Sequence, residues 1–275
     1  MLDLTLDEWL VPWEFSPTLL LCFLLSAYLF IQGTRKFAVN KWRQGFFWTG
    51  YVMLYLALHT QVDYFAERVF FIHRIQHVFI HHLAPLLVMA AYPVQVMRAG
   101  MPLSWRLGLK RLGQTWLGRI LYALCTQKYF VPFMFVFLVL VWLIPTVQFY
   151  SMLDVNLYRL MNWSVVISGF FYWNLILDRR PSPPAVMTPI GRIISPLVTM
   201  TPQIIAGIYI ATVSVDLYPL FDLCGRAVPL SALEDQGIVG IIMWVPAAVV
   251  ESFGTLAALA TLMRLSAKGK LSRKK

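Results

Sequence analysis

The chain has 275 residues, of which 59% are apolar and only 13% charged, against roughly 25% charged in soluble domains. A soluble globule of this size has no way to bury that much apolar surface, so the composition excludes a soluble enzyme and leaves a polytopic membrane protein. The net charge of +10 fits either a nucleic-acid partner or the asymmetry that orients helices in a bilayer, and its distribution decides between them.

Apolar runs able to cross a hydrocarbon core of about 30 Å lie near residues 16–33, 46–61, 69–97, 130–150, 157–177, 194–215 and 238–263. They predict an all-α, polytopic membrane bundle of seven transmembrane helices, one domain over residues 1–275. The second run is short, and the third is long and carries polar residues. No fixed-period repeat is visible. The start, MLDLTLDEWL, is acidic, which argues against a cleaved secretory signal with its positive first region. Cys22, Cys125 and Cys224 are isolated thiols, so neither a disulfide framework nor a structural zinc site is signalled.

Placed between these runs, 19 of the 23 basic residues fall on one side. Arg35, Lys36, Lys41 and Arg43 follow the first run, and Arg98, Arg106, Lys110, Arg111, Arg119 and Lys128 follow the third. Arg179, Arg180 and Arg192 follow the fifth, and Arg264, Lys268, Lys270, Arg273, Lys274 and Lys275 form the tail. Of the acidic residues, only Asp178 shares that side, and Glu251 lies inside the last run. The positive-inside rule then places the N-terminus outside and the C-terminus in the cytoplasm, as an odd number of spans requires. The charge is an orientation signal, and no nucleic-acid partner is implied. Segment 101–124 mixes Arg and Lys with Leu and Trp; it reads equally as an interfacial helix against anionic lipid or as an ordinary anchoring loop.

All five histidines, His59, His73, His77, His81 and His82, fall within 24 residues. In a regular helix His73, His77 and His81 share one stripe, running about 12 Å inward from near the outer surface. A single intramembrane histidine is ordinarily a hydrogen-bonded packing residue. Four together favour metal or cofactor contact, because ionisable groups in a span are costly. No Glu follows His73, which disfavours a zinc hydrolase of the HExxH kind. His with Met suits copper or zinc, whereas magnesium and calcium want carboxylates. The last run starts on the same outer side, with Asp235 and Gln236 at its mouth and Met243 about 9 Å further in, near the depth of His77. Met243 taken alone reads as an apolar gap-filler. Glu251 lies deeper and needs a partner, either a histidine or Arg74.

The segments ERVFFIHRIQHVFIHHLAPLLVM (67–89), WLIPTVQFY (142–150), SGFFYWNLILDRRPSP (168–183) and LEDQGIVGIIMWVP (233–246), in this order, resemble the multi-spanning CtaG family of caa-type cytochrome oxidase assembly factors. The resemblance covers the chain from about the second run to the end. His73, Gln76 and His77 fall on the family's HxxQH, Asp235, Gln236, Met243, Trp244 and Pro246 on its last-span motif, and Pro145 on its fourth-span motif. The resemblance implies a non-enzymatic protein of the bacterial inner membrane that matures a haem–copper oxidase by supplying copper. The expected metal residues are His73, His77, His81 and Met243, with His59, Gln76, His82, Asp235 and Gln236 in support. The chain departs from the family at Leu143 and Asn162, where members often carry histidines.

Three other classes compete. HVFIHH (77–82) is one residue too long for an elongase HxxHH, and five histidines are too few for a di-iron lipid enzyme. Two histidines on neighbouring helices suit a b-type haem, which is the alternative cofactor. A transporter predicts inverted repeats, and none is visible.

Overall fold

The computed structural model describes residues 9–223, 225 and 227–271, so Cys224, the acidic start before Trp9, and the tail residues Arg273, Lys274 and Lys275 lie outside the described residues. Among the described residues the chain is helical and carries no strand. In chain order the helices are α1 (Pro17–Lys36), α2 (Lys41–His59), α3 (Gln61–Arg68), α4 (Phe70–His77), a π-helical turn (Val78–Leu83), α5 (Ala84–Ala90) and α6 (Pro93–Gly100). They continue with α7 (Leu103–Gln114), α8 (Trp116–Thr126), α9 (Phe130–Val141), α10 (Pro145–Leu153), α11 (Val155–Ile176), α12 (Pro189–Thr212), α13 (Leu220–Leu223) and α14 (Ala232–Ala267).

Three helices, α1, α12 and α14, are long and apolar enough to cross a membrane. Two bent pairs raise the number to five: Phe70–Ala90 with α6, bent by 67°, and α8 with α9, bent by 75°. The remaining apolar runs of the sequence are helical too, as α2 and α11, but neither is among the helices apolar enough to cross a membrane, so three to five candidate spans stand where seven were expected.

Proline chemistry explains where the observed helices depart from the expected runs. The run 69–97 is two pieces, because Tyr92 takes a left-handed φ of 52° immediately before Pro93. The run 130–150 is not one helix either. Pro145 opens α10 with Ile144 extended (ψ 121°), so the chain turns through Trp142, Leu143 and Ile144 after α9 has ended. Segment 101–124 resolves into α7 and α8, which meet at the Thr115 cap and bury no side chain in the bundle.

Helix α14 sets the frame. Its Ser231–Glu234 capping box satisfies the first turn, and its 36 residues give a rod of about 54 Å. It packs along α12 where Gly207 faces Gly240; a Cβ on Gly240 would collide with the Gly207 carbonyl oxygen, so both positions admit only glycine at this backbone separation.

Candidate functional site

The histidine segment starts at α4, whose own N-cap residue, Val69, offers no side-chain acceptor. The cap comes from α14 instead. Asp235 accepts hydrogen bonds from the backbone N–H of Phe70 at 3.1 Å and of Phe71 at 2.8 Å, and is fully buried. Gln236 beside it ties the loop after α12: its Oε1 accepts from the Leu217 N–H at 2.9 Å, and its Nε2 donates to the carbonyls of Ile210 and Val215. Both polar residues of the last-span motif therefore lock α14 to its neighbours. The two helices start at one level, which brings Met243 to the depth of His77.

Below His77 the helix widens into the π turn Val78–Leu83. Pro85 is the cause on the sequence side: it lacks an N–H for the His81 carbonyl, and its ring crowds that oxygen. The Ala84 N–H accordingly bonds to Phe79, five residues back. The released His81 carbonyl faces Gly169 of α11, where any Cβ would collide with it. The regular stripe expected of His73, His77 and His81 is thus interrupted, and His81 and His82 are turned relative to the first two.

All five histidines are buried. His73 and His77 have ring centroids 4.4 Å apart, and His81 and His82 4.6 Å apart. His81 Nε2 lies 3.1 Å from Ser168 Oγ, and its ring stacks on Phe135. His59 packs against Tyr55 and Phe15, away from the others. Gln76 donates to the Ala57 carbonyl at 2.7 Å and to Asp63 Oδ1 at 2.6 Å, so it fastens α4 to α2 and α3.

At the centre is a cavity of about 20 Å³, lined by His77, His81, His82, Met243, Gln203 and Arg74 among others. That volume holds about one water or one small ion. His77 Nε2, His81 Nδ1 and His82 Nδ1 are buried without a hydrogen-bond partner. His73, also without a partner at either nitrogen, touches His77 but does not line the cavity. Among the described residues no three of His, Cys, Asp and Glu form a metal-holding group, so a three-donor set here includes the Met243 thioether. In donor type these residues fit a soft or borderline cation.

Sequence reasoning missed Gln203. It lines the cavity and donates to Glu251 Oε1 at 2.8 Å, while Thr199 donates to Glu251 Oε2 at 2.7 Å. His82 Nδ1 lies 3.6 Å from Glu251 Oε1, which answers the choice left open in the sequence: Glu251 meets a histidine, and Arg74 instead donates to Gln148. The available signal was a glutamine in an otherwise apolar run, four residues after Thr199. Of the two positions where family histidines are replaced, Leu143 packs in one apolar cluster with Met243, whereas Asn162 lines a separate cavity near Asp63.

At the end of the bundle where α3 lies, burial pushes the Asp63 carboxyl up to about 6, against the lowering pull of hydrogen bonds from Tyr158 and Gln76. Burial, then the charges of Asp63 and Glu14, push Glu67 up to about 7.

No curated protein and no solved structure matches the chain. The family model described as the cytochrome c oxidase caa3 assembly factor (Caa3_CtaG) matches residues 27–265, which is most of the chain, and the protein belongs to that family.

Proposed function

We propose that this protein is a non-enzymatic, seven-span factor of the bacterial inner membrane that holds copper and passes it to a subunit of a haem–copper oxidase. The acidic end of the bundle faces outward, following the charge distribution of the loops. The observation that carries the copper reading is the central cavity: three imidazole-bearing residues and one thioether surround a space of about 20 Å³, with imidazole nitrogens left unpartnered.

His77, His81 and Met243 would hold the ion, with His82 beside them and His73 supporting His77. Imidazole and thioether donors favour cuprous copper over hard cations, and the ion is the cargo of the protein. The chain's own contribution is to keep these nitrogens and the sulfur buried and oriented. The Asp235 cap fixes the depth, the π turn fixes the facing of His81 and His82, and Thr199 with Gln203 hold Glu251 against His82. The cavity volume favours an ion over haem, since pockets for larger cofactors run to about 300–1,000 Å³.

Purified protein should bind cuprous ion stoichiometrically, and a His73→Ala/His77→Ala double variant should lose it; full retention rejects the site. A deletion strain should make oxidase with reduced copper content. Normal copper loading there would reject the role.

A further inference from the structure

A second, chemically different cavity lies at the acidic end, between the approach to α1, α3 and the first turns of α11. Its volume is about 70 Å³, and its polar wall includes Glu14, Ser16, Thr18, Asp63, Tyr158 and Asn162. The donors here are oxygens. Tyr158 OH and Gln76 Nε2 both donate to Asp63 Oδ1 at 2.6 Å, which holds the carboxylate rigidly in the wall. The Asn162 side chain is 6% exposed, and its Oδ1 is buried without a hydrogen-bond partner although it belongs to the lining. A buried amide oxygen with no donor is costly, and a water or a cation in the cavity relieves it. Glu14 closes the rim through a half-exposed pair with Arg159 at 3.0 Å, a contact weak enough to open.

We propose that this cavity binds a hard divalent cation of the calcium type, through the carboxylates of Asp63 and Glu14 and the amide oxygen of Asn162. Two carboxylates, a neutral carbonyl oxygen, nearby hydroxyls and room for water match the oxygen-rich, irregular shell that calcium accepts, whereas magnesium demands a tighter octahedron. The site is independent of the copper reading, since its donors are hard and those of the histidine cavity are soft.

Calcium chloride titrated into the full-length protein in detergent tests it by calorimetry and by the thermal midpoint. The expected result is one saturable site with a dissociation constant of about 0.1–1 mM, as in weak calcium modules, and weaker binding of magnesium. Asn162→Ala and Asp63→Asn should each weaken calcium binding about tenfold or more, and Glu14→Gln several-fold. No saturable binding up to about 10 mM overturns the site, as does unchanged affinity in Asn162→Ala and Asp63→Asn. Should those two fail to fold, Glu14→Gln at the exposed rim decides, and unchanged affinity there overturns it equally.

Discussion

The carboxylate of Asp235 caps the helix that starts at Phe70, 165 positions earlier in the chain. Two N–H groups that would otherwise be orphaned at a helix start meet a buried acceptor, and the histidine helix is thereby pinned to α14. Asp235→Ala leaves those donors buried and unsatisfied, which costs about 1–3 kcal/mol. Asp235→Asn keeps one acceptor oxygen and should lose less. Thermal unfolding in detergent reads both, and a drop equal for the two variants would argue against capping as the cause.

Gly169 should tolerate no side chain. Its hydrogen points at the His81 carbonyl that Pro85 has released, so a methyl group forces α11 away from the π turn. Gly169→Ala is expected to cost about 1–3 kcal/mol, the usual penalty for overpacking, despite the gain in helix propensity. An unshifted unfolding midpoint would show that the crossing is looser than this contact requires.

Much of this was legible in the residues. The apolar runs located the helices, and the HxxQH and DQ…M motifs located the elements that meet. What the runs did not carry was the continuity of the helices. Hydropathy averages over a proline, so 69–97 and 130–150 each read as one segment while Pro93 and Pro145 divided them. The i, i+4 stripe did not show the π turn, because spacing assumes a regular helix and Pro85 widens one turn, although His77 and His81 still line one cavity. Gln203 was hidden because its partner lies on another helix. Pairings such as Gln203 with Glu251, 48 positions apart, follow from packing alone.

Stability should depend on pH through Asp63 and Glu67. Their folded values, about 6 and about 7, lie above the ordinary 3.8 and 4.5, so the folded protein holds protons that the unfolded chain releases. The contribution is fully present below about pH 4 and is lost as pH rises through about 7, so the thermal midpoint falls across that window. Glu67→Gln should flatten the upper part of the fall and Asp63→Asn the lower. A midpoint that rises steadily from pH 4 to 7, in wild type and both variants alike, contradicts the assignment.

Pro85 separates the fold from the site. Pro85→Ala restores an N–H that can bond to the His81 carbonyl, removing the reason for the widened turn, and it adds a residue with strong helix propensity. If the turn closes, one residue's worth of helical rotation, about 100°, is taken out between the His73–His77 pair and the helix beyond. His81 then no longer faces the cavity that His77 and Met243 line. The variant should therefore fold, with stability near wild type, yet bind cuprous ion about tenfold more weakly in competition titrations. Hydrogen exchange over residues 78–85 should slow as the regular ladder replaces the π turn. Unaltered copper affinity together with that slower exchange would show that the facing of His81 is irrelevant to the site; a chain that loses both stability and affinity would show that the π turn is needed for the packing against Gly169 instead.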